Sequence, residues 1–120
     1  MKGEVVSAAN ESTARLARQP LRIPGGWAVE HNELRQLYPS LLDAEDPLWN
    51  YLVEDLLQVY DARRKLLLDV GWYPDSRPEG SFRMVLLRNG DWDNPLRIFR
   101  TKELSELVQE IEEWLLRPVP

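Results

Sequence analysis

Residues 65–74 read Lys-Leu-Leu-Leu-Asp-Val-Gly-Trp-Tyr-Pro, and this stretch is the centre of the predicted fold. Its apolar run has the length of a β-strand and ends at a proline, which breaks regular structure. Successive side chains of a strand point to opposite faces, so one face here is fully apolar and the other is mixed. The apolar face carries Leu66, Leu68, Val70 and Trp72, and the mixed face carries Leu67, Asp69, Gly71 and Tyr73. We predict a core strand whose apolar face is covered by another element.

A helix pattern near the C-terminus can supply this cover. Apolar residues recur there at the three- and four-residue spacing of one helix face, and they are Leu104, Leu107, Val108, Ile111, Trp114 and Leu115. Thr101 can cap the helix, and the prolines that follow Arg117 stop it. We therefore predict an amphipathic helix over residues 101–116, packed on the apolar face of the core strand.

Two further strands are predicted after the core strand. Residues 81–88 resume the alternation of a strand after the turn-rich residues 75–80. Asn89-Gly90 is a strong turn signal, and the residues that follow lengthen the connection beyond a tight hairpin. Residues 96–100 form the last predicted strand, because Pro95 suits a strand start.

The first strand is predicted over residues 27–32, after an entry rich in Pro and Gly. Regular alternation places Trp27, Val29 and His31 on one face of this strand. The acidic and irregular residues 34–46 are then expected to cross the surface.

Residues 46–64 allow two interpretations. A helix is one of them, because Trp49, Leu52, Val53, Leu56, Leu57 and Tyr60 match helix spacing. The other is a loop or short helical turn through Tyr51, then a strand over residues 54–60 and a turn over residues 61–64. We favour the second, because the β-formers Val59 and Tyr60 end the run and no helix stop precedes Lys65.

These elements predict an α+β fold, in which an antiparallel sheet of about five strands carries a C-terminal amphipathic helix on one face. The length of 120 residues matches one domain. Residues 1–20 have weak periodicity and are predicted to be a flexible leader, and residues 21–120 a single α+β domain.

Composition and charge limit the classes of function. Hydrophobic residues make up 43% of the chain and charged residues 29%, and no apolar run approaches the ~20 residues of a membrane span. The absence of cysteine and of a segment typical of a signal peptide favours a cytoplasmic protein. The net charge of -5 argues against nucleic acid as a partner, since binding to a phosphate backbone depends on a basic face.

The sequence contains no recognisable motif for catalysis or cofactor binding. His31 is the single histidine, and no cysteine is present to complete a ligand set with it. There is no Gly-x-Ser-x-Gly and no glycine-rich phosphate loop. Asp91 and Asp93 have a spacing found in calcium loops, but the glycine and glutamate of an EF-hand are missing. We therefore expect no catalytic residues, no cofactor and no metal site.

Carboxylates are concentrated in residues 41–60, which contain no Lys or Arg. This segment is either an ordinary solvated loop and strand edge or a docking surface, whose field would speed association with a basic protein. Most of the five tryptophans are assigned to the core, whereas Trp49 and Trp92 lie in acidic or turn-rich segments and are candidate anchors. The candidate partner-binding residues are Asp43, Glu45, Asp46, Trp49, Glu54, Asp55, Asp91, Trp92 and Asp93.

Several short motifs follow one another between residues 22 and 116. They are Arg22-Ile-Pro-x-Gly-Trp, Glu54-Asp-Leu-Leu-Gln, Asp69-Val-Gly-Trp-Tyr-Pro, Gly80-x-Phe, Asn94-Pro-Leu and Ile111-Glu-x-Trp. In this order they resemble small bacterial immunity proteins of polymorphic toxin and contact-dependent growth inhibition systems. The resemblance implies a cytoplasmic protein that binds and blocks one cognate protein toxin. A basic toxin such as a nuclease would agree with the acidic segment.

Two other classes of function stay open at this point. A protein-binding adaptor or homo-oligomeric domain would use the same acidic segment and exposed aromatics without any toxin. A small enzyme would need several catalytic side chains, and the sequence offers only one histidine and scattered acids for these roles. The resemblance favours the immunity protein, with a toxin as its partner and with neither nucleic acid nor a membrane.

Overall fold

The computed structural model of the chain describes residues 16–119. These residues form an antiparallel sheet of five strands and a C-terminal α-helix, so the predicted α+β fold is confirmed. The strands lie side by side in chain order, as β1 (Ala28–Asn32), β2 (Leu57–Asp61), β3 (Leu66–Tyr73), β4 (Ser81–Arg88) and β5 (Arg97–Thr101). Two 3-10 helices, Pro39–Leu41 and Pro47–Tyr51, lie between β1 and β2, and the helix α1 covers Leu104–Leu116.

β3 is the middle strand of the sheet, as its sequence predicts. It pairs with β2 on one side and, along its full length, with β4 on the other. Directly paired side chains point to the same face, which divides the residues of the sheet into two sets. The face that packs with α1 buries Leu66, Leu68, Val70 and Trp72 completely. We call the opposite face, which carries Asp69, Gly71 and Tyr73, the far face.

Helix α1 completes the core on the other side of these residues. Its buried side chains belong to the same hydrophobic cluster as the apolar face of β3, and they are Leu104, Leu107, Ile111, Trp114 and Leu115. The guanidinium of Arg97 on β5 lies 4.5 Å from the centre of the Trp114 ring. Among residues 16–119, neither α1 nor any other helix is long and apolar enough to cross a membrane.

The start of α1 differs from the prediction. The N-cap residue is Glu103, whose side chain makes no capping hydrogen bond. Thr101 lies before it, where its hydroxyl accepts a hydrogen bond from the Glu103 N–H at 3.1 Å and bonds to the Glu106 carboxylate. The prediction of Thr101 as the cap residue is therefore wrong, because Thr101 lies two residues before the N-cap. Its hydroxyl holds the turn that leads into the helix.

The segment between β1 and β2 forms a further wall of the core. It contributes the buried side chains Leu34, Leu37, Leu48, Trp49, Leu52 and Leu56. The favoured interpretation of residues 46–64 is confirmed, since a short 3-10 helix ends at Tyr51 and a strand follows. That strand begins at Leu57 rather than at residue 54, because residues 54–55 bulge out of the pairing with β3.

A bulge in β1 changes the predicted faces of the first strand. The register pairs Val29 with Val59 but His31 with Gln58, so the pairing shifts between them. Val59 belongs to the face that packs with α1, whereas Gln58 pairs with Asp69 on the far face. The prediction that Val29 and His31 share a face is therefore wrong, because regular alternation fails where a bulge adds a residue.

The last residues of the predicted leader lie against the chain that follows β1. The Gln19 N–H donates to the Leu34 carbonyl at 2.9 Å, and the Gln36 N–H donates to the Ala17 carbonyl at 2.8 Å. The rest of that leader, residues 1–15, lies outside the described residues.

Candidate protein-binding surface

Five carboxylates from the segment before β2 lie at the end of the sheet where β3 finishes. They are Asp43, Glu45, Asp46, Glu54 and Asp55, and we call them the acidic surface. All except the half-buried Asp46 are exposed. Both parts of the segment reach Trp72 near the end of β3, because Trp49 packs on its ring at 5.8 Å and the Val53 carbonyl accepts its backbone N–H at 2.8 Å.

The first part of the acidic surface is held by the start of a short helix. Asp46 is the N-cap of the second 3-10 helix, and its carboxylate accepts a hydrogen bond from the Leu48 N–H at 2.9 Å. An Asp at the cap followed by Pro47 is a favoured helix start. The Asp43 carbonyl accepts the Trp49 indole N–H at 2.7 Å. Only the backbone of Asp43 is engaged by this bond, so its carboxylate stays free to face solvent.

The second part, Glu54 and Asp55, bulges out beside β3. Residues 53 and 56 on either side make backbone hydrogen bonds of 2.8 and 2.9 Å with β3, so the ladder continues around the bulge. The Glu54 N–H donates to the Asp75 carboxylate at 3.2 Å. The Asp55 carbonyl lies 2.9 Å from His31 Nε2. Backbone groups hold the bulge in place, and both of its carboxylates remain exposed.

Trp49 does not belong to the exposed part of this surface. Its side chain is only 6% exposed, because it packs on Trp72 and its indole N–H is already bonded to the backbone. The expectation that Trp49 presents its ring to a partner is therefore wrong. Tyr51, which is 46% exposed, and Leu41, which is 73% exposed, are the apolar side chains that this segment offers instead. Trp49 and Leu52 are three residues apart, which is one turn of a 3-10 helix, so both are buried while Tyr51 is exposed. This spacing is visible in the sequence, but it was not used to predict that Tyr51 is exposed.

Asp91, Trp92 and Asp93 lie at the opposite end of the sheet. Their loop starts where the Asn89 N–H donates to the Lys65 carbonyl at 2.9 Å, just before β3 begins. The eight residues of β3 separate this loop from the acidic surface, a distance of ~25 Å at about 3.3 Å per residue. The structure therefore divides the predicted partner-binding residues into two groups at opposite ends of the sheet.

The charge around this second group is also different. Four exposed cations lie in the β2–β3 turn and at the end of β4, and they are Arg63, Arg64, Lys65 and Arg88. Trp92 is 51% exposed, as expected, but its neighbouring carboxylates share this end of the sheet with these cations. The carboxylates that stand apart from cations in sequence are those of the acidic surface.

Asp69 is an ionisable residue that the sequence did not single out for a functional role. It lies in the middle of β3 on the far face and is 4% exposed. Burial raises the pKa of Asp69, and the hydrogen bond from Gln58 Nε2 at 2.8 Å opposes that rise. The nearby Asp55 carboxylate raises the pKa further, so the bulge of the acidic surface is electrostatically linked to this buried acid.

Tyr73, which lies further along β3 on the same face, is linked to this group. Burial raises the pKa of its phenol, and the charges of Asp69 and Glu54 add to the rise. The guanidinium of Arg83 lies 5.7 Å from the centre of the Tyr73 ring. The arrangement joins one buried acid, one phenol and one cation at the foot of the acidic surface.

The described residues offer little for metal or cofactor chemistry. No group of three His, Asp or Glu side chains between residues 16 and 119 is arranged to hold a metal ion. The segment that carries the acidic surface exposes both carboxylates and the apolar side chains of Leu41 and Tyr51, a combination suited to contact with another protein. Searches against protein-family models, curated proteins and solved structures found no match to this chain.

Proposed function

We propose that this chain is a cytoplasmic immunity protein, which binds one basic protein toxin through the acidic surface and so neutralises it without catalysis. The observation that carries the proposal is that one segment without Lys or Arg exposes four carboxylates together with the side chains of Leu41 and Tyr51. The motif order that resembles immunity proteins supports the same assignment.

The physical argument has two parts. A group of carboxylates attracts a cationic protein over a distance of several ångströms and raises the rate of encounter. Exposed apolar side chains then supply contact area that loses water on binding, which lengthens the lifetime of the complex. A toxin that acts on nucleic acid has a basic active face, and a carboxylate-rich surface competes with phosphate for that face.

The acidic surface is a better candidate than the loop of residues 91–93. Glu54 and Asp55 lie in a bulge whose backbone is held by hydrogen bonds on both sides, so binding does not need to order that backbone. Asp91 and Asp93 instead share their end of the sheet with four cations, which weakens their attraction for a basic partner.

Co-expression tests the proposal directly. The chain is produced together with the toxin encoded beside its gene, and we expect cells to survive only when the chain is present. The double variant Glu54→Gln/Asp55→Asn should lose protection, whereas Asp91→Asn/Asp93→Asn removes the same charge at the other end and should keep it. Death of cells that carry the unaltered chain would reject the immunity function. Loss of protection only in Asp91→Asn/Asp93→Asn would show that the interface lies at residues 91–93 instead.

A further inference from the structure

An apolar pocket opens next to the acidic surface. It has a volume of about 320 Å³ and lies between the first 3-10 helix, with the residues that follow it, and the start of α1. Its lining residues are Pro39, Ser40, Leu42, Ala44, Trp49, Trp72, Pro78, Lys102 and Glu103. The volume is at the lower end of the range of about 300–1,000 Å³ for small-molecule sites. A pocket of this size suits one large side chain better than an extended cofactor.

Two tryptophans lie beneath the pocket in fixed positions, where Trp72 is fully buried and Trp49 is 6% exposed. The indole N–H of Trp49 is bonded to the Asp43 carbonyl at 2.7 Å, and that of Trp72 to the Arg77 carbonyl at 2.8 Å. Neither indole therefore offers a hydrogen bond to a ligand. A Cβ atom on Gly80 would lie 2.4 Å from Trp72 Nε1, so the absence of a side chain at residue 80 keeps this ring in position. The apolar surface that the pocket offers comes mainly from Leu42, Ala44 and Pro78 above this fixed base, and it favours an apolar group.

The charges at the mouth of the pocket indicate what carries that group. Ala44 lines the pocket and is exposed, and its chain neighbours on both sides are the exposed carboxylates Asp43 and Glu45. Adjacent Cα atoms are about 3.8 Å apart, so the neighbours of a side chain bound against Ala44 have these two carboxylates as the nearest charges of the segment. Lys102 and Glu103 on the other rim have opposite charges.

We propose that the pocket receives one aliphatic or aromatic side chain of a basic polypeptide, with Lys or Arg neighbours of that side chain paired to Asp43 and Glu45. This inference rests on the proposed function and names the feature of the partner that the acidic surface recognises. The carboxylates attract the partner, and the pocket distinguishes a chain with an apolar residue at the right position from a chain that is merely basic.

A display library of random linear peptides tests the inference, because selection from it does not require the partner to be identified. Peptides are selected on the immobilised chain, and selected sequences are synthesised for titration by fluorescence anisotropy. Ala44→Phe and Ser40→Phe each place a ring at the mouth of the pocket from a different side. Ala62→Phe, in the exposed β2–β3 turn, is the matched control for an added ring. Circular dichroism confirms that the variants are folded.

We expect selected peptides to combine Lys or Arg with one apolar residue, and either blocking variant to weaken their binding about tenfold or more, with no change in the control. If the selected peptides are basic without an apolar preference and bind the blocking variants equally well, the pocket is not a binding site. The role of the acidic surface would then still hold. Apolar peptides without basic residues would overturn the proposed pairing with Asp43 and Glu45. The proposed function itself would be contradicted by two results together: no basic peptides are selected, and Glu54→Gln/Asp55→Asn still protects cells in the co-expression test.

Discussion

The backbone carbonyl oxygen of Glu54 lies where a side chain of Gly71 would begin. A Cβ atom built on Gly71 would be 1.9 Å from this oxygen, a separation that real structures do not contain. The bulge that exposes Glu54 and Asp55 therefore needs a glycine in the facing strand. This pair of residues connects the core strand of the sheet to the acidic surface.

Gly71→Ala is expected to displace the bulge and to lower the free energy of unfolding by about 1–3 kcal/mol, the usual cost of overpacking a buried position. Urea denaturation monitored by tryptophan fluorescence measures this change. Gly25→Ala is the matched control, because a Cβ atom there meets no atom within 4 Å. Equal urea midpoints for the two variants would show that the bulge yields without cost.

Trp114→Ala is expected to lower the free energy of unfolding by about 3–5 kcal/mol, since the ring is 2% exposed and a cavity would replace it in the core. The same urea titration applies. Trp92→Ala removes an equally large ring that is half exposed, and should change the free energy of unfolding by only about 0.5 kcal/mol. An unchanged urea midpoint for Trp114→Ala would show that the Trp114 face of α1 does not pack in the core.

Asp69→Asn is expected to stabilise the protein relative to the unaltered chain at neutral pH. Burial raises the folded-state pKa of Asp69 above its ordinary value of 3.8, so the folded state binds this proton more tightly than the unfolded state does. The unaltered chain therefore loses stability as the pH rises from 3.8 to the folded-state pKa, and the loss is complete above that pKa. An asparagine can keep the hydrogen bond from Gln58 without a charge.

The measurement is the difference in free energy of unfolding between Asp69→Asn and the unaltered chain across this pH range. That difference should grow as the pH rises and then become constant. Asp93→Asn, at an exposed position, corrects for the loss of one negative charge. A difference that does not vary with pH would show that burial of Asp69 does not disfavour its charged form.

Binding kinetics separate the roles of charge and apolar contact on the acidic surface. Against the cognate toxin at low salt, Glu54→Gln/Asp55→Asn should slow association on the order of tenfold and flatten its dependence on salt. Tyr51→Ala should act mainly on dissociation, and a loss of about 2 kcal/mol corresponds to roughly thirtyfold faster dissociation. Stopped-flow fluorescence at several salt concentrations measures both rates.

The control for the kinetic comparison is Asp91→Asn/Asp93→Asn, which removes two charges from the other end of the sheet. It should leave both rates close to those of the unaltered chain. If the two charge variants slow association equally, net charge rather than the acidic surface controls the encounter.

The sequence alone determined the elements whose patterns are local. The alternation in residues 66–73 predicts β3, and the spacing of apolar residues from Leu104 to Leu115 predicts the buried face of α1. Both patterns repeat over several residues, and burial of their apolar faces is the dominant favourable term in folding. The concentration of carboxylates in residues 41–60 was equally visible, because charge is a property of each residue by itself.

The tertiary structure decided which of those charges lie together and which rings reach the solvent. Strand length places Asp91 and Asp93 far from Glu54, although both groups are acidic in sequence. Packing on Trp72 buries Trp49, although Trp49 lies in an acidic segment of the sequence. These outcomes depend on contacts between residues distant in the chain, for which the sequence carries no repeating local signal.

The same reason explains the errors at single residues. A bulge moves His31 to the far face, because the pairing partner rather than the alternation of β1 sets its orientation. For Asp69, alternation predicts the mixed face of β3 correctly, and only the pairing with strands on both sides decides that this acid is buried. Local sequence predicts where the chain is apolar or charged, and only the packing of distant segments decides which of these groups meet.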